Sequence, residues 1–379
     1  QYRLSFEELF YLRLASFKRK EKQQRTLTNN KFKIQEYKEN IKKFMDNLPF
    51  QLTIDQRKAV GEILTDLAKE TPMNRLLQGE VGSGKTVVAA IAMYMAYLNG
   101  YQSILMAPTQ ILANQHYLTI NSLLNHLGVE IILVTAQKSK IKNQIYSSKI
   151  KDDDKINIFI GTHALLNEKI DYKKVGLVVI DEQQRFGVEQ RGKLIGKGVN
   201  PHVMTMTATP IPRTVALTVY GDIDMSVIKT MPVGRIPVKT WVVPNEKREA
   251  AYNWIKSKIK NQKSKIFIVC PLIEESETLT TVKSAKKEFE AIKNIFSDFN
   301  VGLLHGRMKA TEKDKVLQEF KNKQLDILVA TPVVEVGIDI PGATIMVIEG
   351  AERFGLAQLH QLRGRVGRND LQGYCLLFT

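Results

Sequence analysis

Cysteine is nearly absent from this 379-residue chain: there are two, Cys270 and Cys375, both inside apolar runs and neither at a metal-ligand spacing. That excludes a disulfide-stapled scaffold and a cysteine-ligated zinc site, and it reads as two buried core thiols of a reducing, cytoplasmic compartment. Long hydrophobic runs are missing too, the longest, Val87 to Leu98, being too short to cross a bilayer. No secretory leader precedes residue 1, and the abrupt start at Gln1 reads as a fragment whose own amino terminus lies upstream. Acidic residues are in deficit, 39 against 55 lysines and arginines, for a formal charge of +16. An excess of that sign suits a polyanionic partner, nucleic acid before an acidic membrane surface.

What is present is enough apolar residue, 44% of the chain, for sizeable cores. The length exceeds the usual limit of one core and so implies two domains. The stretch that organises the rest is Gly79-Glu80-Val81-Gly82-Ser83-Gly84-Lys85-Thr86, lying between the apolar run Arg75 to Gln78 and the helical run Val87 to Leu98. A glycine-rich turn between a strand and a helix is a phosphate cradle: backbone N–H groups converge on phosphate oxygens and the helix presents its positive end. Lys85 can then reach the β- and γ-phosphates, and the Thr86 hydroxyl can bind Mg²⁺. Gly79, Gly82, Ser83 and Gly84 complete the expected cofactor contacts.

Residues 1 to 47 carry helical periodicity, with Phe6, Leu9, Phe10, Leu12 and Leu14 on one face and a basic run, Lys18 to Lys22, behind it; they read as a helical arm or linker that packs on the next domain or bridges to another. From 48 to 230, short Val/Ile/Leu runs alternate with helical segments: 103–106, 131–134, 156–160, 177–180 and 202–206. Continuous apolar strands imply a parallel sheet covered by helices on both faces. Polar residues follow each strand directly, at Pro108-Thr109, Gly161-Thr162-His163, Asp181-Glu182 and Thr207-Ala208-Thr209. In an open parallel sheet that is the edge where ligands collect. Residues 231 to 243, opening Met231-Pro232-Val233-Gly234, break both periodicities and read as a linker. From 244 to 379 the alternation resumes, with strands at 265–269, 301–304, 326–329 and 344–348 and no second phosphate turn. The lysine-rich stretch 138 to 155, broken by Asp152-Asp153-Asp154, reads as a surface helix and loop.

Asp181 and Glu182 supply the second half of a phosphoryl-transfer site. A strand-end aspartate can hold Mg²⁺ between β- and γ-phosphates, while the adjacent carboxylate takes a proton from the attacking water. Near the end of the chain, Gln361-Leu362-Arg363-Gly364-Arg365-Val366-Gly367-Arg368 offers arginines spaced by glycines, suited to neutralising charge on a γ-phosphate as fingers supplied in cis.

These motifs together resemble the two-domain motor of superfamily 2 helicases, and within it the helicases that migrate DNA branches. The match runs from about Leu48 to Phe378 and includes Met106 to Ala113, Gly161 to Leu166, Asp181 to Val188, Thr207 to Thr214, His305 to Met308, Glu335 to Pro341, Ala351 to Gly355 and the arginine motif. The run Ala216 to Asp222 points to the branch-migrating group, although several motifs are shared with the transcription-repair coupling translocase. The resemblance implies an α/β fold of two tandem RecA-like parallel-sheet domains with an N-terminal helical arm, using ATP and Mg²⁺ on DNA as a monomer. It implies that Phe50, Leu52 and Gln56 hold adenine, that Gly337 and Asp339 face the nucleotide, and that Lys85, Asp181, Glu182, Gln361, Arg365 and Arg368 carry the catalysis. Pro108, Thr109, Gln110, Thr162, His163, Arg307 and Thr331 would meet the nucleic-acid backbone, where contacts position without reading sequence. Thr207 and Thr209 would link the two tracks.

The chain departs from the family pattern at Gln184, where histidine is usual, at Gln110 for glutamate and at Pro332 for threonine. An amide at 184 can hydrogen-bond to Gln361 across the cleft but cannot titrate. A junction-splitting wedge and a C-terminal hairpin region, usual in that group, are not among these residues. The leading expectation is an ATP-driven DNA translocase core of fork repair and recombination. The alternatives are a nucleotide-gated nucleic-acid binding module with weak hydrolysis, or an RNA or transcription-repair translocase of the same superfamily.

Overall fold

The computed structural model describes residues 30–135, 157–209, 223–232, 236–262, 264–271, 280–306, 308–331, 342–367 and 371–379, with positions 6–7, 10–11, 13–15, 17–18 and 20–21 of the arm. The chain divides into two compact units, Gln1–Pro232 and Val233–Thr379.

The first unit begins with α1 (Lys38–Asp46) and α2 (Ile54–Leu67). Thr53 caps α2, its hydroxyl accepting from the Gln56 N–H at 3.2 Å while Gln56 Oε1 accepts the Thr53 N–H at 2.8 Å. This reciprocal pair satisfies two otherwise orphaned helix-end donors. Strands β1 (Asn74–Gly79), β2 (Gln102–Met106), β3 (Glu130–Val134), β4 (Asn157–Gly161), β5 (Val175–Asp181), β6 (His202–Thr207) and β7 (Asp224–Ile228) form one sheet in the order β3-β4-β2-β5-β6-β1-β7, with every pair parallel. Helices α3 (Lys85–Leu98), α4 (Gln110–Leu124) and α5 (Val188–Ile195) connect them. β2, β4, β5 and β6 are buried along their whole length, as strands of a sheet covered on both faces are, although β2, β4 and β6 also bury polar residues such as Ser103, Asn157 and His202. α3 is buried from Val87 to Ala96, because it lies against the sheet with α1 and α2 packed outside it.

The second unit contains β8 (Lys239–Val243), α6 (Arg248–Gln262), β9 (Lys265–Val269), α7 (Thr280–Ile295), β10 (Val301–Leu304), α8 (Ala310–Lys321), β11 (Ile327–Ala330), β12 (Ala343–Ile348), α9 (Leu356–Arg363) and β13 (Tyr374–Phe378). Its six strands are again all parallel, ordered β10-β11-β9-β12-β13-β8. Two parallel sheets clothed in helices match the tandem RecA-like architecture that the sequence motifs imply.

Three details differ from the sequence reading. Residues 239–243, assigned to the linker, are strand β8 on the edge of the second sheet, paired with β13 from Tyr374↔Lys239 to Phe378↔Val243. Only Val243 of β8 is buried, so the strand carries no apolar alternation to announce it. β7 likewise borders the first sheet, a strand that no apolar run signals. In the arm, Phe6, Phe10 and Leu14 are exposed, so these three do not form a packed face. Cys270 and Cys375 are free and buried, and burial pushes both thiols up to about 12. No helix among the described residues is long and apolar enough to cross a membrane. Residues 138–155, 216–222 and 233–235 lie outside the described residues.

Candidate functional site

The phosphate turn leaves β1 at Gly79 and enters α3 at Lys85. Gly82 and Gly84 both take φ of +82°, a left-handed conformation that favours glycine. Gly84 has a second constraint, since a Cβ there would lie 2.2 Å from Gln56 Nε2. That amide nitrogen donates to the Ser83 carbonyl at 2.8 Å. Gln56, which the resemblance places against adenine, is therefore also the buried strut between the start of α2 and the turn. Phe50 is exposed and Leu52 buried. The Lys85 ammonium donates to the carbonyls of Gly79 at 2.7 Å and Glu80 at 3.1 Å, folding across its own turn.

The acidic pair stands at the end of β5. Since β6 separates β5 from β1, and all three run parallel, Asp181, Thr207 and the turn share one sheet edge. Asp181 Oδ1 accepts its neighbour's Glu182 N–H at 3.0 Å, and Oδ2 lies 2.7 Å from His116 Nε2 of α4. Burial alone would raise this carboxyl, but the His116 bond and charge, with Lys85 and the Glu182 N–H, hold it below the usual aspartate range. Glu182 is the opposite case. Burial first, and then the Asp181 charge, push it above the usual glutamate range despite Gln184, Lys85 and the Ala208 N–H. Neighbouring acids driven apart in this way divide the work, one staying charged and the other suited to taking a proton. Glu182 also holds φ 48° and ψ 54°, a left-handed backbone costly for a residue with a side chain. The Gln184 amide donates to Glu182 Oε2 at 2.7 Å. Beside them the Thr207 and Thr209 hydroxyls are 2.7 Å apart.

Thr86 and Asp181 are hard oxygen donors. They fit Mg²⁺, which in nucleotide sites takes one or two protein groups and completes its shell with phosphate oxygens and water. No denser group of three or more His, Cys, Asp or Glu side chains exists among the described residues.

The candidate nucleic-acid residues of the first unit lie farther along the same edge. β2 and β4 are neighbours, and beyond them stand Pro108, Thr109 and Gln110, and Thr162 with His163. Thr109 caps α4, its hydroxyl accepting the Leu112 N–H at 3.3 Å. Thr162 is buried and His163 exposed. In the second unit Thr331 follows β11, its N–H bonded to the Leu304 carbonyl and its buried hydroxyl without a hydrogen-bond partner among the described residues. Gln361 of α9 and Arg365 just beyond it are buried. Arg307, Gly337, Asp339, Arg368 and Pro332 lie outside the described residues. His116 was not singled out by the sequence. Its one signal is its place seven residues after Thr109, two helical turns along the same face.

With the geometry in view, the comparisons define the class. The DEAD/DEAH box helicase family matches residues 53–218, and the helicase conserved C-terminal domain matches residues 246–370. The chain belongs to the superfamily 2 helicases and carries both halves of their motor. Within that class its similarity is to the ATP-dependent DNA helicase RecG. It is 48% identical to RecG of Synechocystis over all of this chain and 45% of that protein, and 45% identical to RecG of Bacillus subtilis over all of this chain and 55% of that protein. A solved structure of RecG bound to a three-way DNA junction superposes with a TM-score of 0.82 at 41% identity, covering all of this chain and 49% of that one. The chain thus spans about half the length of the relatives it matches.

Proposed function

We propose that this chain is an ATP-hydrolysing DNA translocase core of the RecG type, acting on branched or duplex DNA in replication-fork repair and recombination. The observation that carries the reading is the convergence, at one sheet edge, of a glycine-built phosphate turn with an acidic pair whose two carboxyls are driven apart, both under the influence of Lys85. The turn's N–H groups and Lys85 bind the triphosphate of ATP, Lys85 exchanging its bonds to the Gly79 and Glu80 carbonyls for phosphate oxygens. Thr86 and Asp181 would hold Mg²⁺, which when bound supplies charge neutralisation for the phosphates. Glu182 orients the attacking water and takes its proton, held in place by Gln184 Nε2 and the Ala208 N–H. Phe50, Leu52 and Gln56 hold adenine. Gln361, Arg365 and Arg368 are required for hydrolysis, and Gly337 and Asp339 face the nucleotide.

DNA is held through its phosphates by Pro108, Thr109, Gln110, Thr162, His163, Arg307 and Thr331, and the charge of +16 favours that contact in general. The test is steady-state ATP hydrolysis titrated with single-stranded, duplex and forked DNA at two salt concentrations. Strong stimulation by DNA that weakens with salt supports the motor. Background hydrolysis unmoved by any DNA refutes it in favour of a nucleotide-gated binding module, and preferential stimulation by RNA would assign the chain to an RNA translocase instead.

A further inference from the structure

We propose that His116 is a positioning residue for Asp181, and that through it helix α4 ties the metal-binding carboxylate to the helix end that meets DNA. The inference rests on the reading above for the roles of Asp181 and Thr109. It adds a residue that neither the phosphate turn nor the acidic motif contains.

Asp181 is the last residue of β5, and nothing in the strand ladder fixes its side-chain torsion. Two donors do so. The Glu182 N–H engages Oδ1 at 3.0 Å and His116 Nε2 engages Oδ2 at 2.7 Å, one donor to each oxygen. An ionised carboxylate only accepts, so His116 Nε2 carries a hydrogen and is the donor. A carboxylate held at both oxygens cannot swing, yet each oxygen keeps a lone pair for another ligand. Both side chains are buried, His116 at 6% and Asp181 at 6% exposure, so water does not compete for the bond.

The other end of the connection is Thr109, the cap of α4. His116 follows it by seven residues, about two turns and on the order of 10 Å along one face of a continuous helix. A phosphate captured at Thr109 and Gln110 pulls on α4, and His116 is where that helix grips the acidic motif. Coupling of this kind is reciprocal, so the metal-bound nucleotide must change DNA affinity by the factor by which DNA changes nucleotide affinity.

The experiment uses the full chain carrying His116→Ala or His116→Gln, each checked for a cooperative thermal transition. Binding of a fluorescent ATP analogue is measured in EDTA and across a Mg²⁺ titration, with and without forked DNA. Outer-shell partners of metal ligands typically contribute 10- to 100-fold in metal affinity. His116→Ala is therefore expected to bind nucleotide normally in EDTA, to need roughly 10- to 100-fold more Mg²⁺ for half-saturation, and to lose the DNA-dependent shift in nucleotide affinity. His116→Gln, whose Nε2 also donates, is expected to restore most of both. If His116→Ala fails to fold, His116→Asn, too short to reach Oδ2, replaces it with the same expectations. A Mg²⁺ midpoint and DNA shift equal to the parent's would overturn the inference while leaving the proposed function standing. A glutamine variant as impaired as the alanine one would overturn it too, by assigning His116 to packing alone. A parent chain that binds no nucleotide sinks the functional reading and this inference with it.

Discussion

Gln56 Nε2 donates to the Ser83 carbonyl at 2.8 Å, at the very point where a Cβ on Gly84 would stand 2.2 Å away. One amide thus fixes the phosphate turn to the cap of α2 and at the same time demands glycine at 84. Gln56→Ala leaves a buried carbonyl and the Thr53 N–H without partners, and is expected to weaken nucleotide binding by about tenfold. Gly84→Ala, which meets both the crowding and the φ of +82°, is expected to lower it further. Titration with a fluorescent nucleotide reads both; equal affinity in parent and Gly84→Ala would contradict the geometry.

Glu182 is assigned the proton and Asp181 the metal, so replacing the first should separate binding from chemistry. Glu182→Gln is expected to retain ATP affinity within a few-fold while kcat falls by about 10²- to 10⁴-fold. Single-turnover hydrolysis checks it. Near-normal turnover would remove Glu182 from the reaction.

His202 sits fully buried in β6, accepting the Met73 N–H on Nδ1 at 3.0 Å with Nε2 2.8 Å from the Asn30 carbonyl. Burial holds its pKa below the ordinary histidine value, so the fold keeps it neutral. The unfolded chain takes up a proton as pH falls below about 6.5, and the folded chain does so only at lower pH. Stability present above that value is therefore lost on acidification through it. Urea midpoints at pH 7.5 and 5.5 should fall more for the parent than for His202→Gln, and equal falls would show that His202 does not contribute.

Arg75 is buried between β1 and α2, with Nε 2.7 Å from Asp66 Oδ2 and Nη1 2.9 Å from Ser226 Oγ and 3.2 Å from Glu62 Oε2. It joins α2 to both β1 and β7. Arg75→Met keeps roughly the volume and takes the guanidinium away from the buried Asp66 carboxylate, which then retains only the half-exposed Lys69 ammonium at 2.6 Å, for an expected loss of about 2–3 kcal/mol in unfolding free energy. Chemical denaturation measures it; a change below about 1 kcal/mol, the level of a surface pair, would contradict the burial.

Much of the fold was legible because its buried strands are written as unbroken Val/Ile/Leu runs: β5, read at 177–180, proves to be Val175–Asp181, and β9 falls where its apolar run does. The phosphate turn was legible because glycine, lysine and threonine each have a separate chemical task there. Of the four edge strands, β3 and β10 were read from their apolar runs but β7 and β8 were not. β7 and β8 are only partly covered, so selection for apolar side chains is weak and their sequences look like loops. His116 was missed for a related reason. A single histidine on a helix carries no period and no motif, and only the tertiary approach of α4 to the end of β5 gives it a carboxylate to hold. Gln56 was read as an adenine contact, but its tie to Ser83 depends on a tertiary approach that local spacing does not encode.

The most direct test of the central claim is ATP hydrolysis in the presence of forked DNA by the parent chain and by Lys85→Ala. The account predicts DNA-stimulated turnover in the parent and a fall of about a hundredfold or more in the variant, the scale expected when a cation aimed at transition-state charge is removed. Turnover unchanged by Lys85→Ala would contradict it.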